Sequence, residues 1–101
     1  MKVTYKDREM ERLCLDKSYA VHKLNITIAK NLGYCHELLI AYDSVERMIA
    51  DGVRHTHRLN NYRNGVYYAM NLSANFRLIF AKETNEGTLC VVRIEEITDY
   101  H

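Results

Sequence analysis

The chain has 101 residues, 48% of them apolar and 27% charged, and a formal net charge of +1. That balance excludes intrinsic disorder and matches one domain, residues 1–101, with a modest core; the length is too short for two. The longest apolar runs, such as Leu38 to Tyr42, are too short to span a bilayer.

The opening "MKVTYKDREMERL" is charged within a few residues and lacks an apolar signal core. Within it, "VTY" at 3–5 predicts a short strand, and residues 6–15 predict a short helix with Met10 and Leu13 facing inward. Asp16 or Ser18 can cap a second helix, in which Val21, Leu24, Ile28 and Leu32 form an apolar stripe; Gly33 then offers a left-handed stop. A third helix is predicted from about 36 to 51, with Leu38, Ala41, Val45 and Met48 on one face and Gly52 closing it. Two helices joined at Gly33 should pack as an antiparallel hairpin. Cys14, Cys35 and Cys90, odd in number and widely spaced, suit reduced thiols in a cytoplasm rather than a disulfide framework.

After Gly52 the apolar period changes from 3.6 to 2. "VYYAMNL" (66–72) and "NFRLIFAK" (75–82) alternate, and "TLCVVRIEEI" (88–97) is β-branched and apolar until its two glutamates. The joins "SAN" and "ETNEG" read as hairpin turns. Helices first and strands second make an α+β fold, with the helix hairpin on one face of a small antiparallel sheet and the other face open.

Charge is unevenly spread. Between Gly52 and Lys82 there is no Asp or Glu, while Arg54, Arg58, Arg63, Arg77 and Lys82 give that stretch +5, with His55 and His57 in addition. Residues 83–101 carry Arg93 against Glu83, Glu86, Glu95, Glu96 and Asp99, a balance of −4. A local basic surface suits a phosphate binder, although charges also cluster by chance. Arg77 lies mid-strand between Phe76 and Leu78, where a charge is costly to bury unpaired. It is either an outward arginine or structural ion pair, or a fixed cation that meets a phosphate.

The segment "HRLNNYRNGVYYAMNLSANFRLIF", followed after a turn by a strand ending in "DYH", resembles the plasmid-maintenance killer proteins, the HigB-like branch of the RelE/ParE toxin superfamily. The matching positions are His57, Leu59, Arg63, Gly65, Asn75, Arg77, Phe80 and Asp99-Tyr100-His101, so the likeness covers about the last 45 residues. The helical half agrees only in size and order. Phe76 stands where the family has tryptophan, Asn60 where its turn carries lysine, and the strand register needs one inserted residue near Val66.

The resemblance implies a ribosome-dependent endoribonuclease that cuts translated messenger RNA, needs no metal or cofactor and is neutralised by a helix-turn-helix antitoxin. Such cleavage activates a 2′-hydroxyl against the neighbouring phosphate, protonates the leaving 5′-oxygen and stabilises a phosphorane. The implied catalytic set is His57, Arg77, Asp99, Tyr100 and His101: His57 and His101 as base and acid, Arg77 on the phosphorane, Asp99 orienting His101 or anchoring the tail. The implied RNA contacts are Arg58, Asn60 and Arg63, with Tyr68, Phe76 and Tyr100 stacking on bases. Each residue also has a structural reading: Tyr67 and Tyr68 as sheet packing, Asp99 as a strand end, the tail as a frayed terminus. His55 competes with His57 for its role, and the pair with a cysteine is a weak zinc pattern. Other members of the superfamily inhibit DNA gyrase instead, and an inert relative that only binds its antitoxin is a third possibility.

Overall fold

Asp7, Asp16, Asn25 and Ser44 each place a side-chain oxygen on the backbone N–H three residues ahead, at 2.9, 3.1, 2.9 and 3.1 Å. These four caps start four helices in the computed structural model, which describes residues 1–87 and 89–99, with backbone alone for 84–86. They are α1 (Arg8–Leu15), α2 (Lys17–Lys23), α3 (Ile26–Ala41) and α4 (Val45–Asp51). Each cap satisfies a donor the helix would otherwise leave bare, worth about 1 kcal/mol.

The helix hairpin predicted around Gly33 is not what forms. Gly33 lies inside α3, and the chain breaks instead at Leu24–Asn25 and at Tyr42–Ser44. A helix-interior glycine costs only about 1 kcal/mol, and burial of Leu32, Cys35 and Leu39 on either side of Gly33 outweighs it. Gly52 does terminate α4, at a left-handed φ of +69° that glycine tolerates.

Five strands follow the order β1-β5-β4-β3-β2: β1 (Lys2–Tyr5), β2 (His57–Leu59), β3 (Tyr67–Asn71), β4 (Phe76–Glu86) and β5 (Leu89–Asp99). β3 to β5 form the expected antiparallel meander, β2 extends it as a short antiparallel edge beside β3, and β1 joins the other edge parallel to β5. The two sheet faces differ sharply. Tyr68, Met70, Leu72, Leu78, Phe80, Val92 and Ile94 pack with Met10, Leu13, Leu32, Leu39, Val45 and Met48 of the helices in one core. Ala69, Ile79, Ala81 and Val91 alternate with them, are also buried, and stand outside that cluster. They form the floor of the second face. No helix among the described residues is long and apolar enough to cross a membrane.

Candidate functional site

Period-2 geometry fixes which side chains share the second face. The ladder aligns His57 with Ala69, Ala69 with Ile79 and Ile79 with Glu96. One step along, Asn71 pairs with Arg77 and Arg77 with Thr98. His57, Arg77 and Glu96 therefore stand above the small apolar floor, on the side the helices leave open. A register shift between Ile79 and Phe80 makes Glu95 an extra residue in β5, a bulge that turns the strand and brings two carboxylates to one place. Glu95 is buried and paired with Arg93 at 3.1 Å, and Arg93 also reaches Glu83 at 3.4 Å.

The loop from Asn60 to Val66 folds back over this face. It uses left-handed backbone at Asn61, Arg63 and Asn64, with φ of 59°, 49° and 52°. Gly65 leaves room there for the Tyr67 ring, which would lie 2.5 Å from an added Cβ and would have to shift. Tyr62 meets Tyr67 edge-on at 5.3 Å and donates its hydroxyl to Glu96, while Arg63 binds the other oxygen of Glu96 at 2.8 Å. Burial, then the bond to Glu96, pushes the Tyr62 phenol up to about 12. The same carboxylate raises Arg63. Glu96 is thus a latch for the loop. Sequence reasoning missed it, since nothing local links residues 34 positions apart.

His57 is held by its own turn. Its Nδ1 lies 2.8 Å from the carbonyl oxygen of His55, which can only accept, so Nδ1 carries the hydrogen. In the neutral ring Nε2 then keeps its lone pair and can take a proton. The His55 ring stands 4.8 Å from that of His57. Among the described residues no third His, Cys, Asp or Glu joins them as a metal-binding group.

The remaining candidates scatter. Tyr68 is not a base platform: it faces the helices, 8% exposed, with its ring stacked on Phe80 at 5.6 Å. Phe76 has the same parity and packs against the core, so two of the three expected stacking aromatics, Tyr68 and Phe76, face the hydrophobic interior. Arg58 pairs with Tyr68 and is exposed on the far side of β2 from His57. Asn60 is exposed at the start of the loop. Asp99 is exposed at the end of β5 opposite Phe76, and Tyr100 and His101 lie outside the described residues. The basic stretch is also less free than its count of charges implies. Lys82 bonds Glu46 at 2.9 Å, and Arg54 spends Nε and Nη2 on the carbonyls of Asn71 and Leu72.

No protein-family model and no curated protein matches the sequence. Among solved structures, a YoeB/ParE toxin from Agrobacterium tumefaciens matches over 100% of both chains, with a TM-score of 0.60 and 11% identity. Helices on one face of a five-stranded, mostly antiparallel sheet are thus a fold that this chain shares with that toxin.

Proposed function

We propose that this protein is the toxin of a toxin–antitoxin pair, of the HigB-like branch, and that it cuts translated messenger RNA on the ribosome in the cytoplasm. The observation that supports this most is that His57 and Arg77 share the sheet face opposite the helical core. Nε2 of His57 takes the proton of a 2′-hydroxyl. The 2′-oxygen attacks phosphorus, and the P–O5′ bond breaks to leave a 2′,3′-cyclic phosphate and a 5′-hydroxyl. Arg77, whose planar fork matches two phosphate oxygens, stabilises the phosphorane. In this reading the second proton-transfer group comes from the tail, Asp99, Tyr100 and His101. Asn60 and Arg63 guide the strand from the loop, and Arg58 meets a more distant phosphate at the sheet edge. A helix-turn-helix antitoxin is the neutralising partner.

A second reading draws support from Glu95 and Glu96. Two carboxylates close to a phosphate site weaken its field, and Glu96 already neutralises Arg63. That arrangement suits a non-nucleolytic toxin that inhibits DNA gyrase, or a relative that mainly binds its antitoxin. Induced expression without antitoxin separates the readings. The nuclease reading expects growth arrest with loss of messenger RNA; arrest with intact transcripts and inhibited gyrase supports the second, and no arrest supports the inert relative.

A further inference from the structure

Beside the His57–Arg77 face, at the turn between β3 and β4, lies an open cleft of about 410 Å³. Its walls are Asn31, Arg54, His55, Asn71, Leu72, Ser73 and Ala74, with no carboxylate among them. We propose that this cleft is a phosphate subsite, which holds the backbone of single-stranded RNA next to the bond being cut. The inference rests on the RNA-cleaving function proposed above and assigns residues to it that the motif resemblance does not.

Three features carry it. First, the cation is fixed. Arg54 is half-buried, with Nε 2.9 Å from the carbonyl of Asn71 and Nη2 3.0 Å from that of Leu72. These neutral partners orient the guanidinium without cancelling its charge, unlike the carboxylates that hold Arg63, Lys82 and Arg93. Arg54 and His55 also adopt successive left-handed conformations, φ 49° and 53°, which non-glycine residues rarely hold and which concentrate at functional sites.

Second, the donors line one cleft. Ser73 Oγ accepts from the N–H groups of Asn75 and Phe76, which leaves its O–H to donate. His55 is exposed at the rim and contributes a ring N–H. A guanidinium, a hydroxyl and an imidazole around one cleft match an anion with several acceptor oxygens.

Third, the cleft adjoins the candidate centre through two walls. The His55 ring is 4.8 Å from the His57 ring, and Asn71 is the ladder partner of Arg77. A strand with its scissile phosphate between His57 and Arg77 can therefore lay a neighbouring phosphate beside Arg54.

The test uses Ala74, an exposed turn residue on the cleft wall with no part in the proposed chemistry. The parent, Ala74→Glu and Ala74→Lys proteins are titrated with a fluorescent, uncleavable 2′-O-methyl RNA hexamer over a range of salt. Each phosphate contact with a single strand contributes about 0.7 to the slope of log K against log salt. Ala74→Glu should flatten that slope by about this amount and raise KM for translated messenger RNA with kcat unchanged, while Ala74→Lys should steepen it. His55→Gln, at another exposed position, should weaken hexamer binding in the same direction as Ala74→Glu. Slopes equal to the parent's in both Ala74 variants, with normal melting curves, overturn the subsite; if the parent still cuts messenger RNA, the nuclease reading survives. A parent that neither binds the hexamer nor cuts translated messenger RNA overturns both.

Discussion

Tyr68 separates the two uses to which an aromatic residue on β3 can be put. The ring is 8% exposed and stacks on Phe80, itself 0% exposed, with planes 20° apart. Removing a buried aromatic ring costs about 3–5 kcal/mol through lost transfer energy and the cavity left behind. The slight exposure of Tyr68 puts Tyr68→Ala at the lower end, about 3 kcal/mol. In a domain of this size each kcal/mol moves the melting temperature by roughly 4–8 °C, so the variant should melt roughly 12–24 °C lower. Tyr68→Phe keeps the ring and should stay within about 0.5 kcal/mol of the parent. Thermal and urea denaturation followed by circular dichroism measure both, and RNA cleavage is assayed well below the lower melting point, where both variants should retain activity. If Tyr68→Ala melts like the parent yet loses RNA cleavage, the packing account is wrong and the ring serves the substrate.

The Tyr62–Glu96 latch predicts a pH effect. Burial and the bond to Glu96 push the folded phenol from the ordinary 10.0 up to about 12, so its stabilisation is complete below pH 10 and is lost as pH rises through about 12. Solvent screening reduces this to about 1 kcal/mol, and the difference between parent and Tyr62→Phe stability should shrink over that interval. Lys82 is spent on exposed Glu46, so Lys82→Gln should cost less than about 1 kcal/mol and leave RNA cleavage unchanged, which activity and melting assays check together. Two glycines should respond oppositely to alanine. Gly33→Ala, in a helix interior with nothing within 4 Å of the new Cβ, should stabilise by up to about 1 kcal/mol, whereas Gly52→Ala, at φ +69°, should destabilise by about that much; urea midpoints decide.

The strands were legible because alternation survives in them almost without interruption from Tyr67 to Asn71 and from Phe76 to Ala81. Which face turns inward was harder to read. Tyr67 and Ala69 are nearly as apolar as Tyr68 and Met70, so alternation alone does not choose the inward face; the packing of Met70 and Leu72 with the helices places Tyr68 in the core. Glycine alone does not mark the helix ends: Gly33 sits in a helix interior, while Asn25 and Ser44 cap the helices that follow them. The cap bonds to Ile28 and Arg47 are what decide those boundaries. Of the candidate site, Arg77 stands out in the sequence as a charge in mid-strand, and His57 through the family resemblance. The Glu96 latch and the Arg54 cleft do not, since both depend on contacts between segments far apart in the chain.

The central claim, that the open face cuts RNA through His57 and Arg77, is tested most directly by the ends it leaves. Purified protein is added to ribosomes translating a defined messenger RNA, and the termini of any fragments are determined for the parent, His57→Gln and Arg77→Ala. The account predicts a 2′,3′-cyclic phosphate upstream and a 5′-hydroxyl downstream for the parent. It further predicts loss of cleavage by about 10²-fold or more in His57→Gln, the usual scale for a proton-transfer group, and a comparable loss in Arg77→Ala, with both variants melting normally. Intact messenger RNA with the parent, fragments ending in 5′-phosphate, or full cleavage by either variant would contradict it.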